Sequence, residues 1–184
     1  MLATDRPVPC FDWGSLYAEK ADRYAAIIHE TAAAGGFILH HAVAEFERAL
    51  AGYVGVRHAI ALSDCTSAME LGLRADGIAP GGEVIVPGHA FIAAAQAIHH
   101  AGGRAVPVDM DASGRHVDPA AIRAAITPRT AALMMIYVSG TVCDMDEVQA
   151  IAAEHGLPIV EDAAPAVGAS FGGTPGQGCG RWAA

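Results

Sequence analysis

The stretch Leu157-Pro-Ile-Val-Glu-Asp-Ala-Ala-Pro-Ala-Val-Gly168 decides the fold. Its first four residues are apolar and two of them are β-branched, which is typical of a buried strand in a parallel sheet. A strand here would deliver the carboxylate of Asp162 to the carboxyl end of the sheet, where ligands bind in open α/β folds. The competing interpretation is that Asp162 caps a helix that tolerates Pro165 in its first turn.

Outward from this stretch, short β-branched runs alternate with helical segments. We predict strands at residues 58–62, 83–86, 104–108, 131–136 and 157–161, and helices at residues 17–33, 42–53, 66–76, 90–101, 118–126 and 145–155. Asp118-Pro119 predicts a helix start, and Asp144 with Glu147 predicts a capping box. The alternation predicts an α/β fold of three layers, with a mostly parallel sheet between helices. The glycine-rich residues 172–180 predict a loop.

The composition excludes several classes of protein. The 184 residues suffice for one domain, and a net charge of −9 with eleven lysines and arginines argues against nucleic-acid binding. No apolar run approaches the roughly 18 residues that a membrane span needs. The N-terminal sequence MLATDRPVPCFDW lacks the pattern of a signal peptide, so we predict a cytoplasmic protein without a membrane partner.

The cysteines and histidines predict neither a disulfide framework nor a metal site. The four cysteines are widely spaced, without a C-x-x-C motif, at positions Cys10, Cys65, Cys143 and Cys179. The pairs His40-His41 and His99-His100 consist of adjacent residues, whose side chains project in different directions. We therefore expect histidines at the surface or in an interface, and no bound metal.

Two other predicted strands end next to residues suited to a ligand. Ser63-Asp-Cys-Thr-Ser67 opens a helix, whose first N–H groups and the Thr66 hydroxyl can hold a phosphate. Taken alone, this segment favours a helix cap by Asp64 or by Ser67, the latter in a capping box. Phe91 follows the strand at residues 83–86, and it either stacks on a flat ring or packs in the core.

The order and spacing of these segments resemble the N-terminal half of the large domain in the DegT/DnrJ/StrS family of PLP-dependent sugar aminotransferases. The resemblance runs from about Gly36 to Ala184 and includes GGFILHHAVAEFERALAGYVGVRHAIALSDCTSAM, GGEVIVPGHAFIAAAQAIHHAGGRAVPVDMD, ITPRTAAL, CDMDEVQAIAAEHGLPIVEDAAPAVGA and GRWAA. It implies a truncated PLP-transferase large domain of fold type I at residues 36–184. By the same resemblance, we expect an N-terminal arm or helix at residues 1–35 and no small C-terminal domain in this chain.

The resemblance also implies how pyridoxal 5′-phosphate (PLP) is held. Asp162 would pair with the pyridine nitrogen, which makes the ring an electron sink, and Phe91 would stack on the ring. Cys65 and Thr66 would lie at the phosphate cup. Five positions that the resemblance places in the pocket depart from the family's usual residues. They are Cys65 for glycine, Ala90 for threonine, Tyr137 for histidine, Pro165 for glutamine and Val167 for histidine.

By the same resemblance, the substrates are an amino-acid donor, with glutamate expected, and a keto-sugar nucleotide. The family's Schiff-base lysine follows a Phe-Ser-Phe segment after GRWAA, whereas the one lysine of this sequence is Lys20. We therefore expect no catalytic residue among the candidates, and negligible activity for this polypeptide alone. The alternatives are a non-catalytic partner, as a homo-oligomer or paired with a complementary or full-length chain, and a truncated gene product. The sequence does not decide between amino transfer and the dehydration catalysed by lysine-to-histidine members of the family.

Overall fold

The computed structural model describes residue 9, residues 11–175 and residues 179–184. The chain divides into an N-terminal unit, Met1–Phe46, and a core unit, Glu47–Ala184. The N-terminal unit contains α1 (Trp13–Ala18) and α2 (Ala21–Ala33), so the single helix predicted at residues 17–33 is two helices. The helix α3 (His41–Val54) contains the boundary between the units.

The core unit alternates helices and strands as the sequence predicts. Its larger elements after α3 are α4 (Cys65–Ala75), β1 (Glu83–Pro87), α5 (Ile92–His100), β2 (Arg104–Val108), α6 (Pro119–Ala125), β3 (Thr130–Ile136), α7 (Met145–His155) and β4 (Ile159–Asp162). They are followed by a 3-10 turn (Ala164–Ala166), the antiparallel pair β5 (Ser170–Phe171) and β6 (Thr174–Pro175), and β7 (Trp182–Ala183). Among the described residues, no helix is both long enough and apolar enough to cross a bilayer.

Five strands form one parallel sheet in the order β2-β1-β3-β4-β7. Successive side chains of a strand point to opposite faces. On one face, Leu133 and Met135 of β3 pack with residues of α6 and α7. On the other, Met134 packs with residues of α4 and α5, including the fully buried Met69 and Ile98. The predicted three-layer arrangement is therefore confirmed.

Two predicted helix starts are confirmed by hydrogen bonds. The Asp118 carboxylate accepts from the backbone N–H of Ala120 at 2.9 Å and begins α6, with Pro119 as its first residue. The Asp144 carboxylate accepts from the backbone N–H of Glu147 at 3.3 Å and begins α7. Each aspartate satisfies an N–H group that has no partner inside its helix.

The strand predicted at residues 58–62 is wrong. The segment has no regular secondary structure and pairs with no strand of the described residues, so its backbone has no ladder to join. The N–H of Ala61 instead donates to the Glu47 carboxylate at 2.8 Å. The loop predicted at residues 172–180 is wrong at Thr174–Pro175, which forms β6. Residues 176–178 lie outside the described residues, and so does Cys10.

Two side chains and one glycine dock β7 against α4. The Arg181 Nε and the Trp182 Nε1 each donate to one oxygen of the buried Asp76 carboxylate at 2.8 Å. A Cβ at Gly72 would lie 2.4 Å from Cζ2 of the Trp182 indole, so only glycine lets α4 approach this ring. The register of the last strand is therefore set by contacts with side chains from the helix layer.

At the amino end of β1, a buried carboxylate is held by three donors. The side chain of Glu83 accepts from the Thr127 hydroxyl at 2.6 Å, from Arg104 at 2.5 Å and from Arg129 at 2.8 Å. The hydrogen bond from Thr127, followed by that from Arg104, lowers the pKa of Glu83 to about 2. This carboxylate therefore stays ionised in the folded protein well into the acid range.

We expect Glu83 to contribute to acid unfolding. Because its pKa is lower in the folded state than the ordinary 4.5, its contribution is complete above that value and is lost as the pH falls towards 2. The free energy of unfolding, measured by urea titration between pH 2.5 and 6, should decrease less with falling pH in E83Q than in the unmodified chain. The control is E154Q, which removes an exposed carboxylate that pairs with Arg123. An equal effect of E154Q on the pH dependence would contradict the assignment.

Candidate active site

The candidate site lies at the carboxyl end of β4, where the backbone is fixed from both sides. The N–H of Tyr137, beyond the end of β3, donates to the carbonyl oxygen of Asp162 at 3.2 Å. On the other side, the N–H of Ala163 donates to the carbonyl oxygen of Ala184 at 2.9 Å. Asp162 is the last residue of β4 and is only 7% exposed. These two hydrogen bonds therefore fix the backbone from which the Asp162 side chain projects.

The two oxygens of the Asp162 carboxylate differ. Oδ1 accepts from the backbone N–H of Ala164 at 3.3 Å and from the Cys65 thiol at 3.5 Å. Oδ2 has no hydrogen-bond partner among the described residues. Burial raises the pKa of Asp162, and the donors at Oδ1 oppose that shift. The prediction that Asp162 caps a helix is wrong, because the 3-10 turn that follows has Ala163 as its N-cap, without a side-chain cap. Oδ2 therefore remains a buried acceptor without a described partner.

The first turn of α4 supplies the second part of the site. The helix begins at Cys65, and the Asp64 carboxylate caps it by accepting from the backbone N–H of Ser67 at 2.8 Å. The capping box predicted at Ser67 is wrong because the N-cap is Asp64, three residues earlier, and Glu70 pairs with Arg74 instead. Thr66 is half-buried in the first turn. Asp64 therefore places a negative charge where the sequence predicts a phosphate.

Phe91 precedes α5 and is 74% exposed, so the interpretation as a core residue is wrong. Stacking on a cofactor ring stays a prediction. Val167, in the loop beyond β4, is also largely exposed. The sequence analysis did not assign Tyr53 to the site, yet its hydroxyl lies 2.8 Å from where a Cβ of Gly168 would be. Close approach to this hydroxyl and a φ of +89° both require glycine at position 168.

Tyr137 is not a pocket residue. Its side chain is 1% exposed and donates from its hydroxyl to Oε1 of Glu161 at 2.6 Å. Because successive residues alternate faces, Tyr137 lies with Met135 in the core that faces α6 and α7, away from Asp162. The departure noted at this position is therefore a change in the core.

The sequence analysis also missed a role for Glu161, which is fully buried. Besides the Tyr137 hydroxyl, its carboxylate accepts from the backbone N–H of Gly180 at 2.5 Å and from that of Cys179. Burial raises the pKa of Glu161, and these donors oppose the shift. A glutamate within an otherwise apolar strand was the available signal, since such a group requires buried partners.

The sequence profile of the DegT/DnrJ/EryC1/StrS aminotransferase family matches residues 19–183. The chain belongs to this family. Its parallel five-stranded α/β fold matches the large domain of PLP aminotransferases over part of the length. NtdA from Bacillus subtilis with bound cofactor PMP, a solved structure, aligns with a TM-score of 0.88 and 29% identity. The alignment covers 96% of this chain and 41% of that chain.

Among family members of known activity, the chain is 47% identical over 131 residues to the GDP-perosamine synthase of Caulobacter vibrioides. That match covers 71% of this chain and 35% of the relative. It is 44% identical, again over 131 residues, to the 3-amino-5-hydroxybenzoate synthase of Amycolatopsis mediterranei, covering 71% and 34%. The chain thus spans about a third of the length of these two relatives.

Proposed function

We propose that this chain supplies the ring-nitrogen and phosphate contacts of a PLP-dependent aminotransferase. The proposed reaction moves an amino group from an amino acid, with glutamate as the donor, to a keto-sugar nucleotide. The observation that carries the proposal is the open Oδ2 of Asp162, a buried acceptor at the carboxyl end of the sheet. The similarity to a GDP-perosamine synthase supports a nucleotide-sugar acceptor.

The donor set at Asp162 fits the proposed cofactor. A buried carboxylate with one unpaired oxygen is stabilised by a protonated ring nitrogen, and it would hold the proton on that nitrogen. When bound, PLP supplies an electron sink for the negative charge formed on the Cα of the donor amino acid. The first turn of α4, with the Cys65 N–H and the Thr66 hydroxyl, would hold the phosphate. Phe91 would cover one face of the ring.

We also propose that the 184-residue polypeptide has negligible transaminase activity by itself. Its one lysine, Lys20, lies at the start of α2 in the N-terminal unit. A lysine amine is needed in this chemistry to hold the cofactor and to move protons. Glutamate-dependent amination of a keto-sugar nucleotide by the purified polypeptide, lost in K20A, would contradict this proposal.

The assembly is proposed on the resemblance alone. We propose a cytoplasmic homo-oligomer, or pairing with a complementary or full-length chain.

Cofactor binding distinguishes the proposed function from the alternative of a non-catalytic partner. The test is a calorimetric titration of the purified chain with pyridoxamine 5′-phosphate (PMP), which requires no lysine to be retained. Saturable binding supports the proposed function, and no binding at millimolar PMP contradicts it.

The charge of Asp64 should weaken the binding of a phosphate at α4. We expect D64N, which keeps a helix-capping side chain but removes the charge, to bind PMP roughly three- to tenfold more tightly. The same calorimetric titration measures this change. D118N is the matched control, since it alters the cap of α6 on the opposite face of the sheet, and an equal gain there would contradict the explanation.

A further inference from the structure

We propose that Cys65 is a positioning residue for Asp162. Its thiol donates to Oδ1 and thereby leaves Oδ2 as the oxygen that receives the N–H of the cofactor ring. This inference rests on the proposed function of Asp162. It assigns the side chain of Cys65 to the ring-nitrogen end of the site, whereas the sequence placed this residue at the phosphate.

The contact joins two rigid elements. Cys65 is the first residue of α4, and its Sγ lies 3.5 Å from Oδ1 of Asp162, the terminal residue of β4. The helix is anchored against the sheet by Met69 and Leu73, which are both fully buried. Because packing fixes both ends of the contact, the thiol has a defined position beside the carboxylate. The side chain of Asp162 is thereby oriented from the helix layer.

The hydrogen bond between Cys65 and Asp162 can have only one direction, from the thiol to the carboxylate. Burial and the nearby Asp162 carboxylate raise the pKa of the Cys65 thiol to about 12, so the sulfur keeps its proton at neutral pH. A carboxylate only accepts, so the thiol donates to it. With Ala164 N–H as the second donor, both described hydrogen bonds lie on Oδ1. Both donors thus leave Oδ2 as the open acceptor.

The first test needs no cofactor. Removing the Asp162 charge should favour the Cys65 thiolate, so D162N should label with iodoacetamide at Cys65 at least about threefold faster at pH 8.5. Peptide mass spectrometry separates Cys65 from the other cysteines. Conversely, the pKa of Asp162, followed by carboxyl ¹³C NMR, should be higher in C65A and restored in C65S. Unchanged labelling in D162N together with an unchanged Asp162 pKa in C65A would overturn the proposal.

The second test is PMP affinity in the same variants. We expect C65A to bind PMP roughly three- to tenfold more weakly and C65S, which keeps a donor, to bind within about twofold of the unmodified chain. If the unmodified chain and C65A bind PMP equally tightly, the role of Cys65 is overturned, but the proposed function is not. No binding by the unmodified chain would contradict the proposed function, while labelling would still report the contact between the two residues.

Discussion

Replacing Asp162 by asparagine is expected to weaken PMP binding by roughly 100-fold. A protonated ring nitrogen and a buried carboxylate form a charge-assisted hydrogen bond worth about 2–3 kcal/mol, which corresponds to this factor. Oδ2 of Asp162 is buried and has no partner among the described residues, so a neutral amide cannot replace its charge. Calorimetric titration of D162N with PMP, beside the unmodified chain, measures the loss.

The matched control is D146N, which removes one carboxylate from an exposed position in the first turn of α7. We expect this variant to bind PMP like the unmodified chain. The free energy of unfolding, measured in urea, shows whether D162N is folded at the titration temperature. A folded D162N that binds PMP within about threefold of the unmodified chain would mean that the ring nitrogen is held elsewhere.

The second large effect is expected at Glu161, where alanine should lower the free energy of unfolding by about 3–5 kcal/mol. The substitution opens a cavity, removes the acceptor of the half-buried Gly180 N–H, and leaves the buried Tyr137 hydroxyl with only the weakly accepting Met145 sulfur at 3.4 Å. Each unsatisfied buried group costs about 1–3 kcal/mol. Urea unfolding followed by far-ultraviolet circular dichroism measures the difference.

A double-mutant cycle tests the explanation. Y137F keeps the backbone donors to Glu161 and should cost less, about 1–3 kcal/mol. In the double variant Y137F/E161A, no tyrosine hydroxyl is left unpaired, so the total loss should be smaller than the sum of the two. Strict additivity would show that the contact between these side chains carries no energy of its own.

Most of the core unit could be predicted because local signals and global fold agree there. Asp118, Asp144 and a left-handed glycine at Gly156 mark helix ends, and the apolar runs between them have the length of strands. The segment at residues 58–62 has the same apolar character, but a strand also needs a neighbour to pair with. Composition does not reveal whether that neighbour exists.

The last strand could not be predicted because it has a neighbouring strand but no local strand signal. β7 has two residues and no alternating pattern, so no local signal marks it as a strand. Its pairing with β4 depends on Asp76 and Gly72, which lie more than 100 residues earlier in the chain. Contacts between side chains so distant in sequence leave no periodic trace in either segment.

In the candidate site, sequence reasoning found the strand end with Asp162 and the start of α4, because polar residues at those places break an apolar pattern. It accepted the pocket position that the resemblance gave Tyr137 without considering which way that side chain points. It passed over Glu161 for the same reason. Which face a residue occupies depends on where the strand begins, and strand boundaries are the least certain part of a sequence prediction.

Because side chains alternate along β4, the neighbouring residues Glu161 and Asp162 point to opposite faces of the sheet. The Glu161 side chain bonds to Tyr137 on the face that packs against α6 and α7, whereas the Asp162 side chain contacts Cys65 of α4 on the other face. Substitutions on the first face can therefore accumulate over evolution with little epistasis towards ligand binding. Redesign of the ligand preference can likewise be confined to the side chains around Asp162, leaving the hydrogen bonds of Glu161 in place.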